Sequence, residues 1–202
     1  MGRRSLATER RQQIIAVTIQ CMSKHGLDGT TLERIAELAD MARGHLRHFV
    51  GNRDELLTDA ARVFFFGNGA MDEKDLAVAV ATMPIIPRSL GVEGALTFLF
   101  DDFVAPSSDS AAVTAFIDAG RTIPAILEIV ASSYRSMEVS LSEIISDEHP
   151  RAPEASCRRV ANAAISMAVG TSFLTNIEYS TERIAHALAI TTSLIAGLDQ
   201  SD

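Results

Sequence analysis

The chain has 202 residues, with 18 basic and 26 acidic side chains and a formal net charge of −8. Apolar residues make up 47% and charged residues 22%, the balance of a globular chain long enough to bury a core, which excludes disorder as the main state. Two cysteines, Cys21 and Cys157, are too few for a disulfide scaffold or a zinc ribbon.

The opening residues are polar and carry no apolar run, so no secretory signal is expected. Leu6 stands where N-myristoylation after Gly2 asks for Ser or Thr. The longest uncharged stretch, 160–177, contains Asn162, Ser166, Thr171, Ser172, Thr175 and Asn176, more polar than a membrane span. A cytoplasmic protein with no membrane partner is expected. Charge is unevenly placed: residues 1–53 hold nine basic and five acidic side chains, a net of +4, and the remainder a net of −12. That asymmetry suggests a small basic module joined to a larger acidic body.

Residue spacing predicts helices throughout. Over residues 9–25, Ile14, Val17, Cys21 and Met22 follow helical spacing, and Gly26 ends the helix with Leu27 as the apolar contact after it. Thr30 and Glu33 form a capping-box pattern that opens a second helix burying Leu32, Ile35, Ala36 and Ala39. Asp40 makes the turn, and a third short helix fits residues 42–50. Asn52 with Glu55 opens a fourth, carrying Leu56, Leu57, Ala60, Val63 and Phe64. Beyond breaks at 67–69 and 83–87, further helices fit 91–104, 110–120, 124–149, 154–179 and 181–198.

Residues 30–50 read as a helix, a tight turn and a second short helix. Ala36 is small enough for a close crossing, Asp40 tolerates a left-handed turn, and Leu46 anchors the second helix. The outward face then carries Arg43, His45, Arg47 and His48, donors on an element sized for the DNA major groove. The same pattern also fits an ordinary αα-hairpin with a basic solvent face.

Several anchors recur together at fixed spacing: Arg11-Gln-Gln-Ile-Ile15, Gly26-Leu-Asp-Gly-Thr-Thr31, Ile35-Ala36, Leu46-Arg-His-Phe49 and Asn52-Arg-Asp-Glu-Leu-Leu57. In these the chain resembles the TetR family of transcriptional regulators. The resemblance implies an all-α fold, with a helix-turn-helix DNA-binding domain over 1–55 and a helical ligand-binding and dimerisation domain over 56–202. It implies base reading by Arg43 and His45 beside Gly44, and phosphate contacts from Thr31, Arg47, His48 and Arg53. Arg3, Arg4, Arg10 and Arg11 are candidates for an arm along the DNA backbone. The turn departs from the family pattern, with Ala39-Asp40-Met41 where Ala-Gly-Val is usual.

In the body, Val160, Ala164, Met167, Thr171 and Leu174 recur at 4-3 spacing, as do Ile184, Leu188, Thr191 and Ile195. The resemblance implies that two such helices per subunit pair across a two-fold axis; internal packing of both stripes is the alternative. Phe98, Phe103, Phe116, Tyr134, Met137, Met167 and Phe173 are candidate linings for a small apolar or amphipathic effector, or simply core. No G-x-S-x-G, H-E-x-x-H or Gly-rich phosphate loop is present, so neither an enzyme nor a metal or other cofactor is expected. The expected function is therefore a dimeric DNA-binding repressor released by an effector, with a dimeric ligand carrier lacking DNA binding as the alternative.

Overall fold

The computed structural model describes residues 2–67, 85–104 and 107–200. Among them every regular element is helical. Helix α1 (Gly2–Gly29) buries Ile14, Ile15, Thr18, Cys21 and Met22, a single face at i, i+1, i+4, i+7 and i+8. Val17, expected there, is only half-buried, and Thr18 takes its place. The Thr18 hydroxyl donates to the Ile14 carbonyl at 2.8 Å, so the buried oxygen is not left unpaired. Gly26 interrupts the helix at φ 65°, ψ −169°, a backbone that any Cβ makes costly.

The cap of α2 (Leu32–Leu38) sits one residue later than the sequence pattern suggested. Thr31 is the N-cap, accepting from the Arg34 amide at 3.2 Å. Thr30 is fully buried and donates its hydroxyl to the Gly26 carbonyl at 2.7 Å, closing the broken end of α1. Leu32, Ile35 and Ala36 are buried on α2, and Ala39 just beyond it. A two-bond C-terminal motif follows: the Met41 amide donates to Ala36 (2.9 Å) and the Asp40 amide to Glu37 (3.2 Å). Asp40 occupies the left-handed position at φ 51°, the one non-glycine with positive φ among the described residues.

Helix α3 (Arg43–Val50) and helix α4 (Arg53–Phe66) follow. The Asn52–Glu55 pairing is a full capping box: the Glu55 amide donates to Asn52 Oδ1 (2.9 Å) and the Asn52 amide to Glu55 Oε2 (3.1 Å). Gly67 ends α4 in the left-handed region, φ 71°.

The chain forms two compact units, Met1–Ala79 with Ala111–Ser132, and Val80–Ser110 with Ser133–Asp202. Neither boundary falls at residue 55: α4 lies whole in the first unit. That unit has its own core of Ile14, Ile35, Leu46, Leu56 and Leu57. It also holds a ring cluster in which Phe116 stands 5.5 Å from Phe64 and 5.9 Å from Phe65.

The second unit contains α5 (Gly91–Thr97), which runs into a π turn, Phe98–Asp102. Helix α6 (Ser108–Gly120) and helix α7 (Pro124–Glu148) each contribute residues to both units. Helix α8 (Glu154–Ile177) and helix α9 (Thr181–Ala196) complete the second unit. Its core joins Leu99, Phe100, Leu141, Ile145, Ala161, Ala164, Ala168 and Ile195, each large aliphatic burial stabilising by about 1.5–3 kcal/mol. The alanines let α8 lie close to its neighbours. By length and hydropathy alone α8 is apolar enough to cross a membrane, contrary to the sequence expectation, because its Ala, Val and Ile outweigh its hydroxyls and amides. Its Ala161, Ala164, Ile165 and Ala168 face is packed into the unit instead. Cys21 and Cys157 are both fully buried, one in each unit. Of the breaks expected at 67–69 and 83–87, Gly67 ends α4 and residues 85–87 lie outside any helix, while 68–69 and 83–84 lie outside the described residues.

Candidate nucleic-acid interface

The first unit presents α3 by its polar side. Leu46 and Val50 are buried at 0% and 5% exposure, while Arg43, Gly44, His45, Arg47 and His48 are all exposed. This split follows from spacing: Leu46 and Val50 are four apart and share one face, and the intervening polar residues take the rest of the helix. Phe49 is half-buried, with the His45 and His48 rings 5.0 and 5.7 Å from its own. The imidazoles are thereby steered by an aromatic neighbour while remaining in solvent. A Cβ at Gly44 meets nothing within 4 Å, so this stretch of α3 is open to close approach by another molecule's backbone.

The arginines differ in what they already hold. Arg47 makes no ion pair among the described residues, whereas Arg43 Nη1 lies 2.5 Å from Glu33 Oε1 at the start of α2. Arg53, expected as a phosphate contact, is half-buried and engaged within the chain. Its Nε donates to the Thr30 carbonyl at 2.8 Å and its Nη2 to the Leu27 carbonyl at 2.5 Å. It ties the start of α4 to the α1–α2 connection and leaves only part of its fork for a ligand. Thr31 likewise spends one lone pair on its cap.

Arg10 donates to Gln13 at 2.8 Å, and Arg11 pairs with Asp59 of α4, which also accepts from Arg62 at 3.2 Å. Arg11, Asp59 and Arg62 line an open cleft of about 770 Å³ together with Asn52, Arg53 and Asp54. The side chains of Arg3 and Arg4 lie outside the described residues.

The residues proposed for an effector do not gather in one place. Phe98, Phe103, Tyr134 and Met167 are partly buried against the second unit's core, and Met137 is inside it. The π turn shapes this wall: the Phe103 amide bonds back five residues to Phe98 at 2.9 Å. Burial pushes the Tyr134 phenol above its ordinary value, keeping it a neutral donor. Phe116 belongs to the ring cluster of the first unit. Phe173 is 60% exposed.

The stripes expected to face a second copy also need correction. Ala164, Thr171, Thr191 and Ile195 are buried inside the chain, Val160, Met167, Ile184 and Leu188 are partly covered, and only Leu174 is exposed. The outward apolar residues are Phe173, Leu174 and Ile177 on α8 and Ile190 and Leu194 on α9. Their signal in the sequence is the four-residue spacing of Phe173 with Ile177 and of Ile190 with Leu194, offset from the stripe that spacing first suggested.

Two short helices joined by a capped left-handed turn, the second anchored by one face and open on the other, define a helix-turn-helix protein. Residues 14–60 match the model of bacterial regulatory proteins, tetR family. This N-terminal module is thus similar to that of the tetR family. The transcriptional regulator BetI of Burkholderia thailandensis is 38% identical over 53 residues, 26% of this chain and 27% of that protein. The match thus spans about a quarter of the curated relatives. Solved structures share the fold over nearly the whole chain. A TetR transcription regulator from Haloarcula marismortui superposes with a TM-score of 0.72 at 12% identity, covering 95% of this chain and 98% of that one. The multidrug binding protein EbrR, in complex with ethidium, gives 0.63 at 18% identity, covering 92% and 98%.

Proposed function

We propose that the chain is a DNA-binding transcription regulator in which α3 lies in the major groove. The observation that carries this reading is the one-sided presentation of α3, with Leu46 and Val50 held down and Arg43, His45, Arg47 and His48 in solvent. A helix of this kind fits the groove, and an arginine fork matches the O6 and N7 acceptors of guanine. In this reading Arg43 and His45 read bases, Gly44 allows close approach, and Thr31, Arg47, His48 and the free part of Arg53 face phosphates. The family match over residues 14–60 supports it.

The regulator works in the cytoplasm as a homodimer on a near-palindromic operator, because a two-fold pair presents two α3 helices related by the same axis. Support for pairing comes from the apolar side chains Phe173, Leu174, Ile177, Ile190 and Leu194, which lie exposed in a single chain. An apolar or amphipathic effector bound in the second unit, beside Phe98, Phe103, Tyr134, Met137 and Met167, releases the DNA. The ethidium held by the structural neighbour EbrR supports a ligand of that kind. The test is recovery of fragments of its own genome by the purified chain, followed by affinity against salt. An enriched inverted repeat with a steep salt slope is the expected result; retention no better than random DNA overturns the reading.

A further inference from the structure

We propose that Glu33 is a specificity-determining residue that positions Arg43; this rests on the DNA-binding reading above. Glu33 is the second residue of α2 and Arg43 the first of α3, and the turn between these helices brings the carboxylate Oε1 to 2.5 Å from Arg43 Nη1. Both side chains are more than half exposed, so the pair stands on the surface from which α3 presents its donors. The Asp40 turn fixes the crossing of α2 over α3 and so holds the pair in place.

The chemistry of the pair sorts the ligands that Arg43 accepts. A guanidinium has five N–H donors in a planar fork. With Nη1 taken by the carboxylate, the remaining edge is held in one orientation and still matches guanine O6 and N7. A phosphate is different. Gripping it with Arg43 exchanges one anion for another and leaves the Glu33 carboxylate facing the DNA backbone. Glu33 therefore suppresses sequence-independent binding at this arginine while leaving base readout open. Arg47, which has no carboxylate partner among the described residues, carries the non-specific share of the attraction. The two arginines of α3 are thus assigned different work by what stands beside them.

The test compares the full-length chain with Glu33→Gln, a substitution at an exposed position that keeps size and hydrogen bonding. The probes are the duplex that the wild type enriches from a random-sequence library and a duplex of scrambled sequence. Glu33→Gln is expected to bind the scrambled duplex roughly tenfold more tightly, with its salt slope steeper by about one phosphate contact. Affinity for the enriched duplex should be unchanged or lower, so discrimination falls about tenfold. In an Arg43→Ala background the same substitution should leave the discrimination ratio unmoved. If Glu33→Gln raises affinity for both duplexes equally, the carboxylate only repels DNA and the inference is overturned. A wild type that enriches no sequence sinks the DNA-binding reading along with it; a wild type that enriches one while Glu33→Gln discriminates equally well sinks the inference alone.

Discussion

At Asp40 a backbone demand and a side-chain charge meet. The left-handed φ of 51° is a position that glycine fills without a Cβ penalty, and aspartate pays less than most residues because its short polar side chain tolerates that region. Asp40→Ala is expected to lower unfolding free energy by about 1 kcal/mol, and Asp40→Gly to hold or raise it by up to about 1 kcal/mol. Thermal unfolding of the three proteins checks the order, and an alanine variant more stable than the wild type would count against it. Arg53 poses a similar double question. Its bonds to the Leu27 and Thr30 carbonyls make it a brace for the module as well as the phosphate contact proposed above. Arg53→Ala should cost about 1–3 kcal/mol of stability and weaken binding to all sequences alike. Arg53→Lys keeps the charge but cannot span both carbonyls, so it should restore the salt slope and leave most of the stability loss. Equal recovery of both by lysine would show that the carbonyl bonds carry no weight.

At the scale of the elements, the helix starts are where local sequence speaks most clearly. The capping box of α4 uses residues three apart, and Asn52→Ala should cost about 1 kcal/mol with the fold kept; an unchanged melting temperature would refute its contribution. The same local rule was ambiguous at α2, where Thr30 and Thr31 offer equivalent patterns. The choice fell to Thr31 because Gly26 turns its carbonyl toward Thr30 and engages that hydroxyl. The buried face of α2 was legible from the spacing of Leu32, Ile35, Ala36 and Ala39, and on α4 Leu56, Leu57 and Ala60 went inside as expected, whereas Val63 and Phe64, within the apolar run 63–66, are only half-buried. Helix α8 was not legible in this way, because two of its faces are apolar. A 4-3 spacing cannot say which face the chain covers itself, and Ala164 and Thr171 went inside while Phe173 and Ile177 stayed out. The partners of Arg53 lie 23 and 26 residues back along the chain, and Glu33 meets Arg43 only across the turn. No spacing rule reaches such contacts; they depend on how the helices cross.

For the whole molecule, the outward apolar residues are where the proposed homodimer would pair. Ile177 is 71% exposed in the single chain, so Ile177→Glu should leave each subunit folded yet abolish pairing by placing an unpartnered charge in the contact. Ala164→Glu, at a fully buried position, should instead unfold the second unit. Sedimentation with circular dichroism separates the two, and a persistent dimer in the Ile177 variant would move the interface elsewhere. Under the proposed function, effector and operator also report on each other. A ligand that releases DNA binds the free form more tightly, and the operator weakens the ligand by the same factor, a coupling of about 1–3 kcal/mol. Titration of the effector with and without operator measures it, and equal affinities would leave the second unit without a regulatory part.

The two buried thiols give this chain a clock for each half of itself. Cys21 belongs to one compact unit and Cys157 to the other, and neither has any surface to offer a reagent. Alkylation can therefore occur only when the surrounding helices open, and its rate at each cysteine counts the openings of that unit separately. Mass analysis of the labelled chain reads both rates in a single experiment. An operator duplex that engages the first unit should slow labelling at Cys21 more than at Cys157. An effector held by the second unit should do the reverse, so the two ligands leave distinguishable traces without any probe being engineered into the protein.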